Sequence, residues 1–111
     1  MEVEFATRRL QKVCNSEKES TREYGDRCAR LLRRRLWEID AAESLGDLLR
    51  LPGPRCHALT GDRGGQYAVD LEYPKRLVFE PADDPVPRRP DGGVEVATVK
   101  RGRVIGVVDY H

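Results

Sequence analysis

The apolar positions in the first half of the chain recur mostly at helical spacing. A short alternation of acidic and apolar residues, EVEF, comes first and predicts a strand that turns Val3 and Phe5 toward a core. Helical spacing then predicts one helix over about residues 7–16 and a long amphipathic helix over about residues 21–42. Ser20 and Glu23 fit the S-x-x-E capping box at the start of the long helix. SLGDLLRL predicts a further short helix.

The spacing changes to a period of two after the rigid PGP connector at 52–54. RCHALT and QYAVDLE predict two strands joined by the turn GDRGG, and the YPK turn leads into a third strand, RLVFE. Leu77 and Phe79 share the core side of that strand, so Arg76 points to the other side. VEVATV and RVIGVVDYH predict a hairpin around KRG. The four prolines of residues 81–93, PADDPVPRRPDGG, predict an extended loop between these strands.

Together these elements predict a single α+β domain over residues 1–111, with helices packed on one face of a small antiparallel sheet. The other face of the sheet is then open, and it carries Arg76. Charged residues make up 35% of the chain, which is typical of a water-soluble surface. No apolar run approaches the ~18 residues of a membrane span, and MEVEFATRRL lacks the apolar middle of a signal peptide. We therefore expect no membrane contact and a cytoplasmic location.

Charge and cysteine content narrow the function classes only slightly. The net charge of +1 is uneven, because residues 1–35 hold ten basic against six acidic residues, whereas residues 36–49 hold four acidic residues and no basic one. The basic cluster RRR at 33–35 is consistent with a solvated helix face or with nucleic-acid binding. The three cysteines lack the C-x-x-C spacing of a zinc site. We predict no metal, no cofactor and no disulfide, with Cys28 a small buried hydrophobe.

Five residues of the second half could carry acid–base chemistry: His57, Arg76, Asp109, Tyr110 and His111. A histidine can both accept and donate a proton near neutral pH. Two imidazoles beside an arginine suit cleavage of RNA by its own 2′-hydroxyl: one accepts the hydroxyl proton, the other protonates the leaving 5′-oxygen, and Arg76 stabilises the phosphorane. Composition and spacing alone favour a structural or incidental role for His57, and Asp109 can simply cap a turn while Tyr110 packs on the core.

The ordered set of motifs resembles one protein family. LPGPRCHALTGDRGGQYAVDLEYPKRLVFEP, followed by a terminal VVDYH, resembles the HigB branch of the RelE/ParE toxin superfamily. The resemblance implies a RelE-like fold and a ribosome-dependent mRNA endonuclease, the toxin of a type II toxin–antitoxin system. It also implies two partners: the ribosome with its mRNA, and a HigA-like helix-turn-helix antitoxin. The toxin–antitoxin pair would bind operator DNA only through the antitoxin.

The resemblance also assigns roles to individual positions. His57 occupies the motif histidine, Arg76 opens the R-[LI]-x-F strand, and Asp109, Tyr110 and His111 form the terminal catalytic triplet. Further basic residues are candidate RNA contacts: Arg33, Arg34, Arg55, Arg63 and Lys75. The chain departs from the family at Thr60, where several members carry a lysine, so the rate or codon preference could differ.

Two rival functions remain beside mRNA cleavage. The first is a ParE-like poison of DNA gyrase, which has no evident need for imidazoles on the open face of the sheet. The second is a non-catalytic, decayed toxin that binds RNA or protein, for which Thr60 is the support. The loop at 81–93 could contact rRNA or the antitoxin through Arg88 and Arg89, or it could be an inert insertion.

Overall fold

The computed structural model describes residues 1–109. Its helices are α1 (Arg8–Asn15), α2 (Glu17–Tyr24), α3 (Asp26–Ala41) and α4 (Leu45–Arg50), and its strands are β1 (Glu2–Phe5), β2 (His57–Ala58), β3 (Tyr67–Asp70), β4 (Lys75–Pro81) and β5 (Arg101–Asp109). Two single-turn 3₁₀ helices, Gly61–Arg63 and Val96–Thr98, lie in the connections. The described chain contains no helix with the length and apolar character needed to span a bilayer.

The five strands form one sheet in the order β1-β5-β4-β3-β2. Three of the four pairings are antiparallel, but β1 and β5 are parallel, with Val3 opposite Gly102. The expectation of a purely antiparallel sheet was therefore wrong at one edge. A parallel pair needs a long crossover, and the four helices and three strands between β1 and β5 provide it.

The core lies between α3 and one face of the sheet. Leu32 and Ile39 of α3 are buried in the same cluster as Val69, Leu77 and Phe79 of the strands. The strand residues alternate with side chains on the opposite face, as the period of two predicted. The α+β class and the packing of the helices on one face of the sheet are thus confirmed.

The long helix predicted over residues 21–42 is in fact two helices. Gly25 has a φ of +84°, which ends α2 and begins α3, because a left-handed residue cannot continue a helix. The cap also differs from the prediction: the Ser16 hydroxyl accepts the Glu19 N–H at 3.1 Å. Ser20 lies buried inside α2 and donates its hydroxyl hydrogen to the Ser16 carbonyl.

The other helix ends agree with the sequence. Thr7 caps α1 by accepting the Leu10 N–H at 3.1 Å, and Ser44 caps α4 by accepting the Asp47 N–H at 3.2 Å. A cap satisfies one of the backbone donors that a helix start leaves free. The three cysteines are buried and unpaired, and burial had been predicted for Cys28.

The hairpin predicted around KRG is absent from the described structure. β5 pairs directly with β4, and residues 94–99 contribute a single bridge, Arg88 to Val94, and a 3₁₀ turn. That turn packs on α4 so closely that a Cβ at Gly46 would lie 3.3 Å from the Ala97 Cα. Tertiary packing on α4 therefore overrides the alternating pattern of VEVATV.

The connection predicted as an extended loop is folded back on itself. The Arg89 N–H donates to the Gly93 carbonyl at 2.7 Å, and the Glu95 N–H donates to the Pro87 carbonyl at 2.9 Å. At its base, the carboxylate of Asp83 accepts the backbone N–H groups that lead into β5. These bonds give the proline-rich segment a defined path beside the core.

Candidate functional site

The candidate site lies on the face of the sheet opposite the helices. Ala68 and Val78 form the floor of this face; both are fully buried, and neither joins the main core cluster. Residues directly opposite one another on paired strands point to the same face. His57 is opposite Ala68, and Asp70 is opposite Arg76, so all of these side chains share the face.

His57 is held in a single orientation by its own segment. Its Nδ1 lies 2.9 Å from the Arg55 carbonyl oxygen. Because a carbonyl oxygen can only accept a hydrogen bond, the neutral ring carries its proton on Nδ1 and an unprotonated Nε2. The partly exposed imidazole therefore presents a proton-accepting nitrogen to the open face.

Arg55 has the backbone conformation that makes this contact. Its φ of +53° is unusual for a residue with a side chain. Pro54, the preceding residue, is fully buried and accepts the Asp70 N–H at 2.9 Å. The segment that carries His57 is thus fixed to β3, and its turn directs the Arg55 carbonyl at the imidazole.

Asp70 connects the His57 segment with Arg76. One carboxylate oxygen lies 3.3 Å from Nε of Arg76, and the other lies 3.4 Å from Nε of Arg55. The backbone carbonyl of Asp70 accepts Nε–H of Arg35 at 2.6 Å. Two guanidinium groups are therefore held beside a single carboxylate on the face that carries His57.

The spacing of His57 and Arg76 suits a ligand the size of a phosphate. Their Cα atoms lie two strands and two residues apart, which is about 12 Å at ~4.8 Å per strand and ~3.3 Å per residue. An imidazole and a long arginine side chain can both reach one group across that gap. Guanidinium groups bind phosphate oxygens through several N–H donors at once.

Asp109 lies on the other face of the sheet. It is opposite Lys75, whose side chain shares the face of the buried Leu77 two residues along. The Cys28 thiol of α3 responds to both charges: burial raises its pKa most, Lys75 lowers it and Asp109 raises it. Asp109 and His57 are therefore on opposite faces of the sheet. Tyr110 and His111 lie outside the described residues.

The candidate RNA contacts divide between the two layers of the fold. Arg63 lies in the 3₁₀ turn after β2, where its guanidinium donates to Gln66 Oε1 at 3.0 Å. Arg33 and Arg34 lie on α3, where Arg33 is 3.9 Å from Glu17 and Arg34 is 3.8 Å from Glu38. Arg33 and Arg34 therefore belong to the helical layer and not to the His57 face, and their role as RNA contacts stays a prediction.

Sequence reasoning missed Arg35 and Asp70. Arg35 is buried at 9% exposure and donates to Glu38 at 2.8 Å, although RRR was interpreted as a solvated cluster. A signal was present, since Arg35 lies seven residues after Cys28 on the apolar stripe. Asp70 alternates with the apolar residues of β3, so the pattern already placed it on the face of Arg76. No group of side chains within residues 1–109 has the arrangement of a metal site.

Two searches found no relative: neither the protein-family models nor the curated proteins match this sequence. Solved structures do match. The YoeB–YefM complex from Staphylococcus aureus aligns with a TM-score of 0.58 at 14% identity, over 100% of this chain and 97% of the other. A YoeB/ParE toxin from Agrobacterium tumefaciens aligns with a TM-score of 0.57 at 13% identity, over the whole of both chains. This protein therefore has the YoeB/RelE-like toxin fold, as its sequence predicted.

Proposed function

We propose that this protein is the toxin of a type II toxin–antitoxin system and that it cleaves mRNA in the decoding site of the ribosome. The observation that carries the proposal is the face shared by His57 and Arg76, which brings an imidazole and a guanidinium group to the same side of the sheet. The toxin role gains support from the fold, because structures with the same architecture are described as YoeB toxins bound to YefM antitoxins.

The reaction transfers a phosphoryl group within the RNA, from a 5′-oxygen to the neighbouring 2′-oxygen. Nε2 of His57 accepts the proton of a ribose 2′-hydroxyl as that oxygen attacks the adjacent phosphorus. Arg76 stabilises the negative charge that develops on the phosphorane. The bond to the 5′-oxygen then breaks and that oxygen takes up a proton, which leaves a 2′,3′-cyclic phosphate and a free 5′-hydroxyl. We assign the proton donor to His111 and base stacking to Tyr110, both beyond the described residues.

The remaining assignments follow the two faces of the sheet. Arg55 and Arg63, near His57, bind the RNA backbone. Lys75 and Asp109 stand at the same end of the sheet on its other face, so Lys75 is a phosphate contact at the rim and Asp109 contacts a base edge. We propose the ribosome with its mRNA as one partner and a HigA-like helix-turn-helix antitoxin as the other. Association with the ribosome should weaken as salt rises, because contacts with phosphates release counterions.

The test is cleavage on programmed ribosomes. Purified protein is incubated with ribosomes that hold a defined mRNA, and the new 3′ ends are mapped and tested for a cyclic phosphate. We expect a cut in the codon of the decoding site and none in naked mRNA. His57→Ala and Arg76→Ala should slow the cut by about tenfold or more while co-sedimentation with ribosomes persists. Arg101→Gln, an exposed arginine of β5 that pairs with Glu2, is the matched control.

Two other results would redirect the proposal. Intact mRNA combined with inhibition of gyrase supercoiling would identify a ParE-like gyrase poison. Intact mRNA and active gyrase would identify a non-catalytic binding protein. Deletion of Tyr110 and His111 tests the terminal triplet: unchanged growth arrest in cells would remove both residues from the mechanism.

A further inference from the structure

Trp37 stands exposed on the surface of α3, in the helical layer. It is 68% exposed and is the only tryptophan of the chain. Leu51, just after α4, is also exposed, at 42%. An indole left in water is unusual, because burial of so large an apolar ring system is favourable. Such exposed apolar groups, when rimmed by polar residues, mark surfaces that bind another macromolecule.

Two grooves meet at Trp37. The first, of about 540 Å³, runs between β1, α1 and α3, and Phe5 and Leu36 form its apolar wall. The second, of about 390 Å³, runs between the end of α3 and Leu51, with Ala41 and Ala42 as its floor. Trp37 lines both grooves and lies between them, and the two grooves together are called the channel. We call this the Trp37 surface, formed by Phe5, Trp37, Asp40, Glu43, Asp47 and Leu51.

The Trp37 surface is acidic. Five carboxylates line the two grooves, and no lysine or arginine does: Glu4, Glu38, Asp40, Glu43 and Asp47. Arginines outside the grooves pair with Glu4, Glu38 and Asp47. Within residues 1–109, Asp40 and Glu43 form no ion pair and both are exposed. The ammonium group of Met1 donates to the backbone carbonyls of Asp40 and Ala42, not to a carboxylate of the grooves.

We propose that the Trp37 surface binds a basic amphipathic segment of a partner protein. An aliphatic side chain of that segment packs on the indole between the two grooves, and its lysines or arginines pair with Asp40 and Glu43. A cation placed over the indole face adds further attraction. An amphipathic helix that lays its apolar side into a groove is a common mode of recognition between proteins. The site is separate from the His57 face, because Trp37 belongs to the helical layer.

Charge decides between a protein and a nucleic acid as the occupant. A nucleic acid would bring its phosphates against five carboxylates, and like charges at such distances repel. Basic residues near the channel that could bind phosphate are occupied: Arg34 faces Glu38 and Arg50 pairs with Asp47. A polypeptide with positive charge flanking an apolar residue complements both features of the channel.

The experiment uses the fluorescence of Trp37, which reports on this surface alone. The full-length protein is titrated with a short amphipathic peptide of leucine and lysine, and the emission of the indole is recorded. We expect a saturable shift of the emission to shorter wavelength, because the ring leaves water. A peptide of leucine and glutamate, and a peptide of lysine without leucine, should each bind at least about tenfold more weakly, ~1.4 kcal/mol.

Variants locate the binding and do not depend on RNA cleavage. The double change Asp40→Lys with Glu43→Lys should weaken the leucine–lysine peptide at least about tenfold. The same charge change at Asp62, an exposed carboxylate of the turn after β2, should leave it unchanged. Absence of binding, equal binding of the leucine–glutamate peptide, or equal loss at Asp62 would overturn the proposal. The proposal would also be overturned if a single-stranded RNA, and not the leucine–lysine peptide, shifted the Trp37 emission.

Discussion

Asp70→Asn tests whether the geometry of the candidate site matters for its chemistry. The change keeps the shape of the side chain and removes its negative charge from between Arg55 and Arg76. The backbone contacts of Asp70, from its N–H to Pro54 and from Arg35 to its carbonyl, do not involve the side chain and remain. The variant should therefore fold normally and lose only the restraint on the two guanidinium groups.

The expected loss of cleavage rate in Asp70→Asn follows from the exposure of the three side chains that form the two ion pairs. The Asp70 side chain is 28% exposed and that of Arg76 is 35% exposed, whereas Arg55 is 77% exposed. An exposed pair such as Arg55 with Asp70 contributes about 0–1 kcal/mol. The pair of Arg76 with Asp70 is an ion pair of two partly buried side chains and contributes about 1 kcal/mol, the upper end of this range. Loss of that restraint in the transition state corresponds to a rate about fivefold lower.

The assay separates positioning from binding. With Asn at position 70, Arg76 keeps its charge and loses a competing anion, so affinity for the ribosome should be unchanged or higher while the cleavage rate at saturation falls. Glu80→Gln is the matched control, because Glu80 pairs with Arg103 at 2.9 Å on the same face and is 34% exposed. Equal rates for the two variants, or a loss confined to affinity, would refute the positioning role of Asp70.

Three further predictions concern stability. Gly25→Ala should lower the free energy of unfolding by about 1 kcal/mol in urea titrations, because φ is +84°, whereas Gly106→Ala, with open space and no such φ, should not. Burial raises the pKa of Cys56 from 9.0 to about 12 and that of Cys14 to about 11. The free energy of unfolding is therefore unaffected below pH 9 and falls as the pH rises from 9 toward those values, by up to about 1.4 kcal/mol per pH unit for Cys56. A free energy of unfolding that stays constant between about pH 8 and 10.5 would contradict this. Asp83→Ala removes the acceptor of two backbone N–H groups, so limited proteolysis should cut the connection between β4 and β5 faster than in the unchanged protein.

Local signals were sufficient for most of the elements. The alternation in EVEF and the helical spacing of the apolar residues act between residues close in sequence, so the pattern alone identified β1, α1 and α4. The break at Gly25 was missed because a glycine inside an apolar stripe is tolerated in many helices. The stripe continues across the break with nearly the same phase, and only the backbone angle at Gly25 separates α2 from α3.

Long-range contacts explain what the sequence did not predict. VEVATV alternates like a strand, yet Val99 is fully buried and accepts the Leu45 N–H at 3.1 Å, a contact with α4 that no local rule contains. The parallel pairing of β1 with β5 likewise depends on the path of the chain through the four helices and strands β2 to β4 that lie between them. At the site, His57 and Arg76 were identified by residue type and motif. Their connection through Asp70 depends on the register of β3 with β4, which the sequence leaves open.

The orientation of α3 explains how a chain with a net charge of +1 can present two surfaces of opposite charge. Arg35 and Trp37 are two residues apart, about 200° around the helix, so the guanidinium reaches the sheet while the indole faces water. A partner on the Trp37 surface therefore leaves the His57 face uncovered. The two surfaces meet at Glu38, which lines the second groove and accepts from Arg35. We expect a partner that draws Glu38 away from Arg35 to weaken the hydrogen bond of Arg35 with the Asp70 carbonyl and so to lower the rate of the proposed cleavage.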